Sequence, residues 1–317
     1  MAFGEDGHWL LFRNARGALA HLLNTLGALR IWLPAYICAE VQQAAALDGR
    51  RVLYYPTGQD FAPDAAYLAE RLETGDAVLG VDYFGAPLPD PGLPALARGR
   101  TDVTWIQDRA QCLWPAASPW GDYVLYSPRK VVGAPDGGIL VSRRGPIAEP
   151  AWTSTGDVEH LIAALMRFED PAGLRNDTWY PAYQRSERSM DAAPHRMSRL
   201  SRELVERFDV DDFARRRTDN AAALLLRLPQ WAALSSERLL AGAPPGLPVS
   251  VDDAAAVAAR MADKGIFCAR HWADIPSPAD QFPVEHQLSR RLLTLPCDHR
   301  YAAAEMDRVA EGFEASL

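Results

Sequence analysis

Three short segments of the 317-residue chain combine residue types that can do chemistry together. Trp105-Ile106-Gln107-Asp108 ends an apolar stretch on a carboxylate, and Gln111 follows one helical turn later, so both side chains can address one ligand. Tyr126-Ser127-Pro128-Arg129-Lys130 ends the next apolar stretch with a hydroxyl and a lysine. Asp136-Gly137-Gly138 then offers a turn that can bring backbone close to a bound group. A carboxylate, a lysine and hydroxyl or backbone phosphate donors at adjacent strand ends are the residue types that pyridoxal 5'-phosphate uses. Lysine forms the Schiff base, and the carboxylate keeps the pyridine nitrogen protonated so that the ring can draw electrons. Among 33 basic residues only Lys130 and Lys264 are lysines, so a lysine inside such a pattern stands out. Taken singly, each residue has a plainer reading: Asp108 as a turn former, Lys130 as a solvated charge, Gly137-Gly138 as a hairpin turn.

The elements that must position these residues are legible from periodicity. Leu19, Leu22, Leu23 and Leu26 fall at i, i+3, i+4 and i+7 and predict a helix from Arg16 to Ala28. It follows Asn14-Ala15, and its free N–H groups suit a phosphate. Short apolar runs at Arg30–Leu33, Arg51–Tyr55, Ala77–Asp82, Val103–Gln107 and Tyr123–Ser127 alternate with helical stretches from about Ile37 and near Asp64–Leu72. This alternation predicts an α/β fold with a mostly parallel sheet, reversed once by an antiparallel strand at Gly138–Ser142. Arg175–Arg196, polar and aromatic-rich without clear period, reads as a long functional loop, and a single long helix is expected over Ser198–Arg227. The remainder, with strands at Pro248–Val251, Ile266–Arg270 and Leu292–Leu295, a helix at Asp253–Lys264 and a closing helix striped by Met306, Val309, Ala310 and Phe313, reads as a small α+β domain. The expected division is a large domain over 1–230 and a small one over 231–317.

Composition narrows the function classes. With 48% hydrophobic residues, 23% charged and a formal charge of -8, the chain is globular and has no basic surface for a nucleic-acid backbone. Cys38, Cys112, Cys268 and Cys297 form no CxxC pair, which predicts neither a zinc site nor a disulfide framework and fits a reducing cytoplasm. The N-terminal MAFGEDGHWLLF lacks a basic leader, and no stretch approaches the roughly 20 apolar residues of a membrane span, so a soluble protein is expected.

The series resembles the DegT/DnrJ/StrS aminotransferases, fold-type I pyridoxal phosphate enzymes that act mainly on nucleotide-linked keto sugars. Asn14-Ala15-Arg16-Gly17-Ala18-Leu19 is similar to that family's phosphate-binding helix start, Leu33-Pro34-Ala35-Tyr36 to its following strand end, and Val81-Asp82-Tyr83-Phe84-Gly85 to its central strand. Gln107-Asp108-Arg109-Ala110-Gln111 resembles the signature in which the aspartate meets the pyridine nitrogen and the glutamine the ring hydroxyl. Ser127 resembles the phosphate-binding serine, and Lys130 with Asp136-Gly137-Gly138 the Schiff-base lysine and its turn. Leu174-Arg175-Asn176 and Arg196-Met197-Ser198 resemble landmarks flanking a segment that reaches a neighbouring subunit's active site. Three departures stand out: Ser127 and Lys130 are three apart where the family has five, Ala15 replaces a glycine, and Pro194 stands where many members place a phosphate-contacting asparagine.

The resemblance implies a fold-type I transferase with Lys130 and Asp108 catalytic and Ala15, Arg16, Tyr36, Asp108, Gln111, Ser127 and Lys130 around the cofactor. Tyr36 or Cys38 would pack on the ring face, with a place in the core as the alternative for either and the plainer one for Cys38. Arg129 reads either as a cation that disfavours charge on its neighbour or as a phosphate or substrate ligand. An amino acid, glutamate by resemblance, would donate the amino group to a keto sugar of a surface-polysaccharide or natural-product pathway. Trp179, Tyr180, Tyr183, Arg185, His195, Arg196 and His271 are candidates for recognising that sugar, with packing or dimer contacts as the alternative. A homodimer with shared active sites and no metal is expected. Another pyridoxal phosphate reaction, such as dehydration, and a non-catalytic paralogue are the competing readings. Lys130 stands against the first, because family dehydratases carry histidine there, and Asp108 with Lys130 against the second.

Overall fold

The computed structural model describes residues 8–112, 119–153, 159–170 and 173–317. The first seven residues, part of the segment read above for a leader, lie outside them. In chain order the elements of the first part are β1 (Trp9–Phe12), α1 (Ala15–Leu26), β2 (Arg30–Pro34), α2 (Ala39–Ala45), β3 (Arg51–Tyr55), α3 (Ala65–Ala69), β4 (Ala77–Val81), α4 (Gly92–Gly99), β5 (Thr104–Arg109), β6 (Tyr123–Tyr126), α5 (Pro128–Val131) and β7 (Gly138–Ser142). Then follow α6 (Glu159–Phe168), α7 (Asn176–Ser189), α8 (Arg199–Glu206), α9 (Val210–Arg227), α10 (Ser236–Ala241), β8 (Gly246–Ser250), α11 (Ala254–Asp263), α12 (Pro283–Arg291), β9 (Leu292–Pro296) and α13 (Ala303–Glu314).

Seven strands form one sheet in the order β1-β7-β6-β5-β4-β2-β3. From β3 to β6 all neighbours are parallel, while β7 runs antiparallel to both β6 and β1. The reversal at Gly138–Ser142 is the one its sequence predicts. Alternate side chains separate two apolar layers. Ile31, Leu79, Ile106 and Leu125 join α1 in the main core, whereas Trp32, Val78 and Trp105 pack with Leu68 and Leu93.

Helix α1 forms for local reasons as well. Asn14 caps it by accepting the Gly17 N–H at 2.8 Å, and Gly27 ends it at φ +62°, a left-handed cap that suits glycine. Its Leu19, Leu22 and Leu23 are at most 2% exposed, and each contributes about 2 kcal/mol of transfer free energy.

In the last third of the chain β8 and β9 pair antiparallel, and α9 packs against both α13 and β8. Met306, Val309, Ala310 and Phe313 are all buried, as the stripe predicts. Among the described residues no helix is long and apolar enough to cross a membrane, and all four cysteines are free thiols.

Four expectations change. Most of the segment read as a loop is helix α7. Only its Trp179 is buried, so no apolar stripe marks it, and the interior Pro181 hides it further. The single helix over Ser198–Arg227 is two helices, because Asp209 accepts the Asp212 N–H at 3.1 Å and starts α9 afresh. The strand expected at Ile266–Arg270 reduces to one bridge, Ala269 to Thr294, with Phe267 71% exposed. Finally, β1 has no counterpart among the expected strands: its four apolar residues WLLF show no alternation, and it pairs with β7 on one side and bridges Arg196 through Phe12 on the other.

Candidate active site

Because β2, β4, β5 and β6 are parallel, their carboxyl ends lie along one edge of the sheet, where open α/β sheets bind ligands. The antiparallel β7 starts at that same edge, and β1 ends there. The topology therefore gathers the ends of β1 and β2, Asp82, Asp108, Ser127 and the Gly137-Gly138 turn.

Asp108 sits near the end of β5 and is 7% exposed; its Oδ1 accepts the Ala110 N–H at 2.8 Å. Burial pushes its carboxyl up, opposed by the positive charge of Lys130 and by that hydrogen bond. Lys130 lies in the short helix α5 at the end of β6, with its N–H on the Ser127 carbonyl at 2.9 Å and its side chain exposed. Its charge also acts on Cys38 and on the imidazole of His271. The charge of Lys130 is thus felt after β2, on β5 and in the C-terminal region. Ser127, which follows β6 directly, is 1% exposed.

Other predicted residues already have partners. Gln111 Oε1 accepts the Phe84 N–H at 2.6 Å, which fixes the turn after β4. Tyr36 is sealed at 0% exposure among Phe61, Tyr83 and Trp272, and its hydroxyl donates to the His271 carbonyl. Cys38, from the same strand end, feels the charges of both Lys130 and Asp108; burial pushes its thiol up to about 11. The His271 ring lies edge-on to Phe84 at 6.1 Å, with Nδ1 2.9 Å from Thr294 Oγ1, and burial followed by the Lys130 charge lowers it to about 4.

The segment from α7 to α8 closes over the start of α1. Asn14 Nδ2 donates to the Asp191 carbonyl at 3.0 Å, Arg16 to the Met190 carbonyl at 2.9 Å, and the Arg13 N–H to the His195 carbonyl at 2.8 Å. Within one chain, the region that the family resemblance sends to a neighbour is therefore seated on its own α1, beside Ala15. Tyr180 and Tyr183 stack at 6.3 Å on α7 and are about half exposed. Trp179 is packing: it is 9% exposed with its indole N–H on Asp170 at 3.2 Å. His195 meets Thr153 and Asp191, and Arg196 meets Glu149 and covers the Trp152 ring, so the chain does not bring them to Lys130.

A Cβ on Gly138 would stand 2.2 Å from the Asn14 carbonyl carbon, so the Gly137-Gly138 turn makes a close approach to the start of the chain's own α1. Asp136 anchors this turn. It is fully buried, with Oδ2 2.8 Å from His160 Nε2 and Oδ1 accepting the Ser198 hydroxyl at 2.9 Å. Burial alone would raise its carboxyl, but hydrogen bonds from His160, Ser201 and Ser198 outweigh that and hold it low.

Two acidic features escape the sequence reading as chemistry. The Asp136 network joins residues far apart in the chain, which no local pattern signals. Asp82 follows β4 directly and could be found as a strand-end carboxylate like Asp108. It is 2% exposed, pairs with Gln107 at 2.8 Å and Arg109 at 2.9 Å, and is pushed up to about 6 by burial.

No protein-family model and no curated protein matches the chain. Solved structures do. The aminotransferase TlmJ from Streptoalloteichus hindustanus aligns over 98% of this chain and 86% of its own, with 19% identity and a TM-score of 0.66. Spr1654 from Streptococcus pneumoniae, solved in PMP, PLP and apo forms, aligns in the PMP form over 97% and 85%, with 14% identity and a TM-score of 0.71. A DegT DnrJ EryC1 StrS aminotransferase from Brucella abortus aligns over 97% and 85%, with 16% identity and a TM-score of 0.65. The chain has the fold of these proteins, the α/β fold that its alternating elements predict.

Proposed function

We propose that the protein is a pyridoxal phosphate-dependent aminotransferase that moves an amino group from an amino acid, glutamate by resemblance, to a keto sugar carried on a nucleotide. One observation carries the reading: Lys130 follows β6 at the same sheet edge where the buried Asp108 stands near the end of the parallel neighbouring strand β5. The proteins that share this fold, sugar aminotransferases among them, favour the same class.

The residues present fit the cofactor. Asp108 is a nearly buried carboxylate with one hydrogen bond to its side chain, so a protonated ring nitrogen would supply the cation that burial denies it. The Ser127 hydroxyl and the start of α1 at Ala15 and Arg16 would offer phosphate donors. Lys130 would carry the group. When bound, it supplies the electron sink that stabilises negative charge at the donor carbon. Asp108 holds a proton at the ring nitrogen throughout. The Lys130 amine would take a proton from the donor carbon and hand it to the bound group, and run the same transfer in reverse for the acceptor, one base serving both half-reactions. In this reading His271 and the exposed Tyr180 and Tyr183 would meet the sugar, and Tyr36 and Gln111 would border the cofactor.

The chain works in this reading as a homodimer with a large domain over 1–230 and a small one over 231–317. The exposed stripe Ile162, Leu165 and Phe168 on α6, 50, 53 and 80% exposed, favours a partner surface. His195 and Arg196, bound within the chain at its outer rim, would serve the second subunit's site.

The test is a panel of nucleotide keto sugars with glutamate, following 2-oxoglutarate release. Release that depends on one sugar and on Lys130 is expected. Cofactor-loaded protein that exchanges no amino group with any amino acid would overturn the reading.

A further inference from the structure

The helix that carries Lys130 is too short to hold itself. α5 has four residues, opens on Pro128 and has no side-chain cap at its start. Its own backbone supplies the Lys130 N–H on the Ser127 carbonyl and the Val132 N–H on the Pro128 carbonyl at 2.8 Å, and a single turn of that kind is unstable alone. Its other supports come from elsewhere in the chain. On one side Arg129 Nη1 lies 2.5 Å from Glu187 Oε1 on α7. On the other, Val131 is 3% exposed beside Ala243 and Phe208, and its carbonyl, the one directly after Lys130, accepts from Nη2 of Arg217 on α9, 86 residues further along the chain.

The setting of Arg217 is unusual for a cation. It is 2% exposed, and its partners among the described residues are neutral: the Val131 carbonyl and His299 Nδ1, which accepts from Nε at 3.4 Å, while Nη1 is buried with no partner. Burial lowers the guanidinium, with Asp298 and Cys297 acting the other way. His299 is lowered to about 4, by burial first and by the Arg217 charge second, so it is neutral at pH 7 and free to accept. Its ring packs on Phe213, one turn before Arg217 on α9, with centroids 3.8 Å apart. A buried cation among neutral acceptors costs stability that an apolar side chain of similar volume would not. What this one provides is a donor at the carboxyl end of α5, where helix carbonyls lack partners and a positive charge is favoured.

We propose that Arg217 is a positioning residue for Lys130: from α9 it caps the carboxyl end of α5, and through His299 it ties that end to the segment after β9. The planar guanidinium suits the task, because donors fixed in one rigid fork hold two partners at a set angle, which a single ammonium group cannot do. Arg217 acts through backbone and touches no reacting atom. Its hold on α5 is read from the contacts alone, whereas the consequence for chemistry rests on the proposed role of Lys130.

The experiment uses purified full-length protein without added cofactor: wild type, Arg217→Met and Arg217→Lys. Each is treated with limiting pyridoxal and borohydride, and label on the Lys130 peptide is compared with label on the Lys264 peptide. Lys264, held by Ser316 and the Arg260 carbonyl, is the internal reference. Amide hydrogen exchange in α5 and α13 and the melting temperature are measured on the same unliganded proteins. Arg217→Met, which exchanges a buried charge for an apolar chain, should melt close to wild type while the Lys130 to Lys264 label ratio falls about 10-fold or more. Exchange should rise in α5 and not in α13, and Arg217→Lys, which keeps one cationic donor for the Val131 carbonyl, should lie between. Should Arg217→Met not fold, Arg217→Gln, neutral and too short for both partners, must show the same selective loss. An unchanged label ratio in a folded neutral variant overturns the proposal. So does exchange that rises in α13 as much as in α5, which would make Arg217 a general support of the fold. Wild-type protein that takes no label on Lys130 overturns the role of Lys130 instead, and the exchange of α5 still decides whether Arg217 holds that helix.

Discussion

Replacing Asp108 by asparagine is expected to move stability and activity in opposite directions. Burial raises the Asp108 carboxyl in the unliganded protein, with Lys130 and the Ala110 N–H offsetting part of the cost. A carboxyl raised on folding contributes most below its unfolded value near 4, and its contribution falls as pH rises through the folded value. At neutral pH the wild-type chain therefore keeps a buried charge that asparagine, equal in shape, lacks, and the amide oxygen of the substituted side chain can still accept from Ala110. The unliganded Asp108→Asn protein should melt higher than wild type at pH 7, with the gap closing as pH falls below about 4. Activity goes the other way. A hydrogen bond to a charged group is worth about 1.5–3 kcal/mol, and the lost charge is the one needed when negative charge develops, so transamination should fall about 100-fold, or ~3 kcal/mol of barrier. Scanning calorimetry across pH and single-turnover kinetics with glutamate measure the two arms. A variant that transaminates at the wild-type rate would refute the placement of the ring nitrogen at Asp108. One that melts lower at pH 7 would refute the burial argument.

Gly138→Ala should lose about 3 kcal/mol in urea unfolding, since its Cβ would press on Asn14 and Ala15 backbone at 2.2–2.4 Å and neither side can move. Asp136→Asn should lose about 2 kcal/mol at pH 7; because the wild-type carboxyl is held low, the difference is present above its unfolded value and vanishes as pH falls through the folded one. Gln111→Ala should affect turnover less than Asp108→Asn, since Gln111 Oε1 is committed to the Phe84 N–H, and its measurable effect should be on melting temperature.

The sheet was legible because its strands are apolar runs at regular spacing, and the candidate centre because chemistry concentrates at their ends: Asp108, Ser127 and Lys130 fall on adjacent strands of one edge. What the sequence hid is nonlocal. Helix α7 has one buried side chain and an interior proline, so it carries neither period nor boundary. The purpose of Gly137-Gly138 depends on Asn14, more than a hundred residues earlier, and the pairing of Arg129 with Glu187 on a helix that periodicity cannot see. Tyr36 closes a strand at the right edge, which is why the sequence suggests it against the cofactor. Only the packed structure reveals that aromatic neighbours already enclose it.

Lys130 carries the central claim, and the chain's lysine usage makes its test nearly binary. The other lysine, Lys264, lies near the C-terminus with Nζ on Ser316 Oγ at 2.9 Å and on the Arg260 carbonyl at 3.2 Å, remote in its contacts from Asp108 and Ser127. Protein incubated with pyridoxal 5'-phosphate, reduced with borohydride and digested should carry the added mass on the Lys130 peptide alone, and Lys130→Ala should carry none. Label on Lys264, or no label on either lysine, would contradict the assignment of this strand edge as the active site.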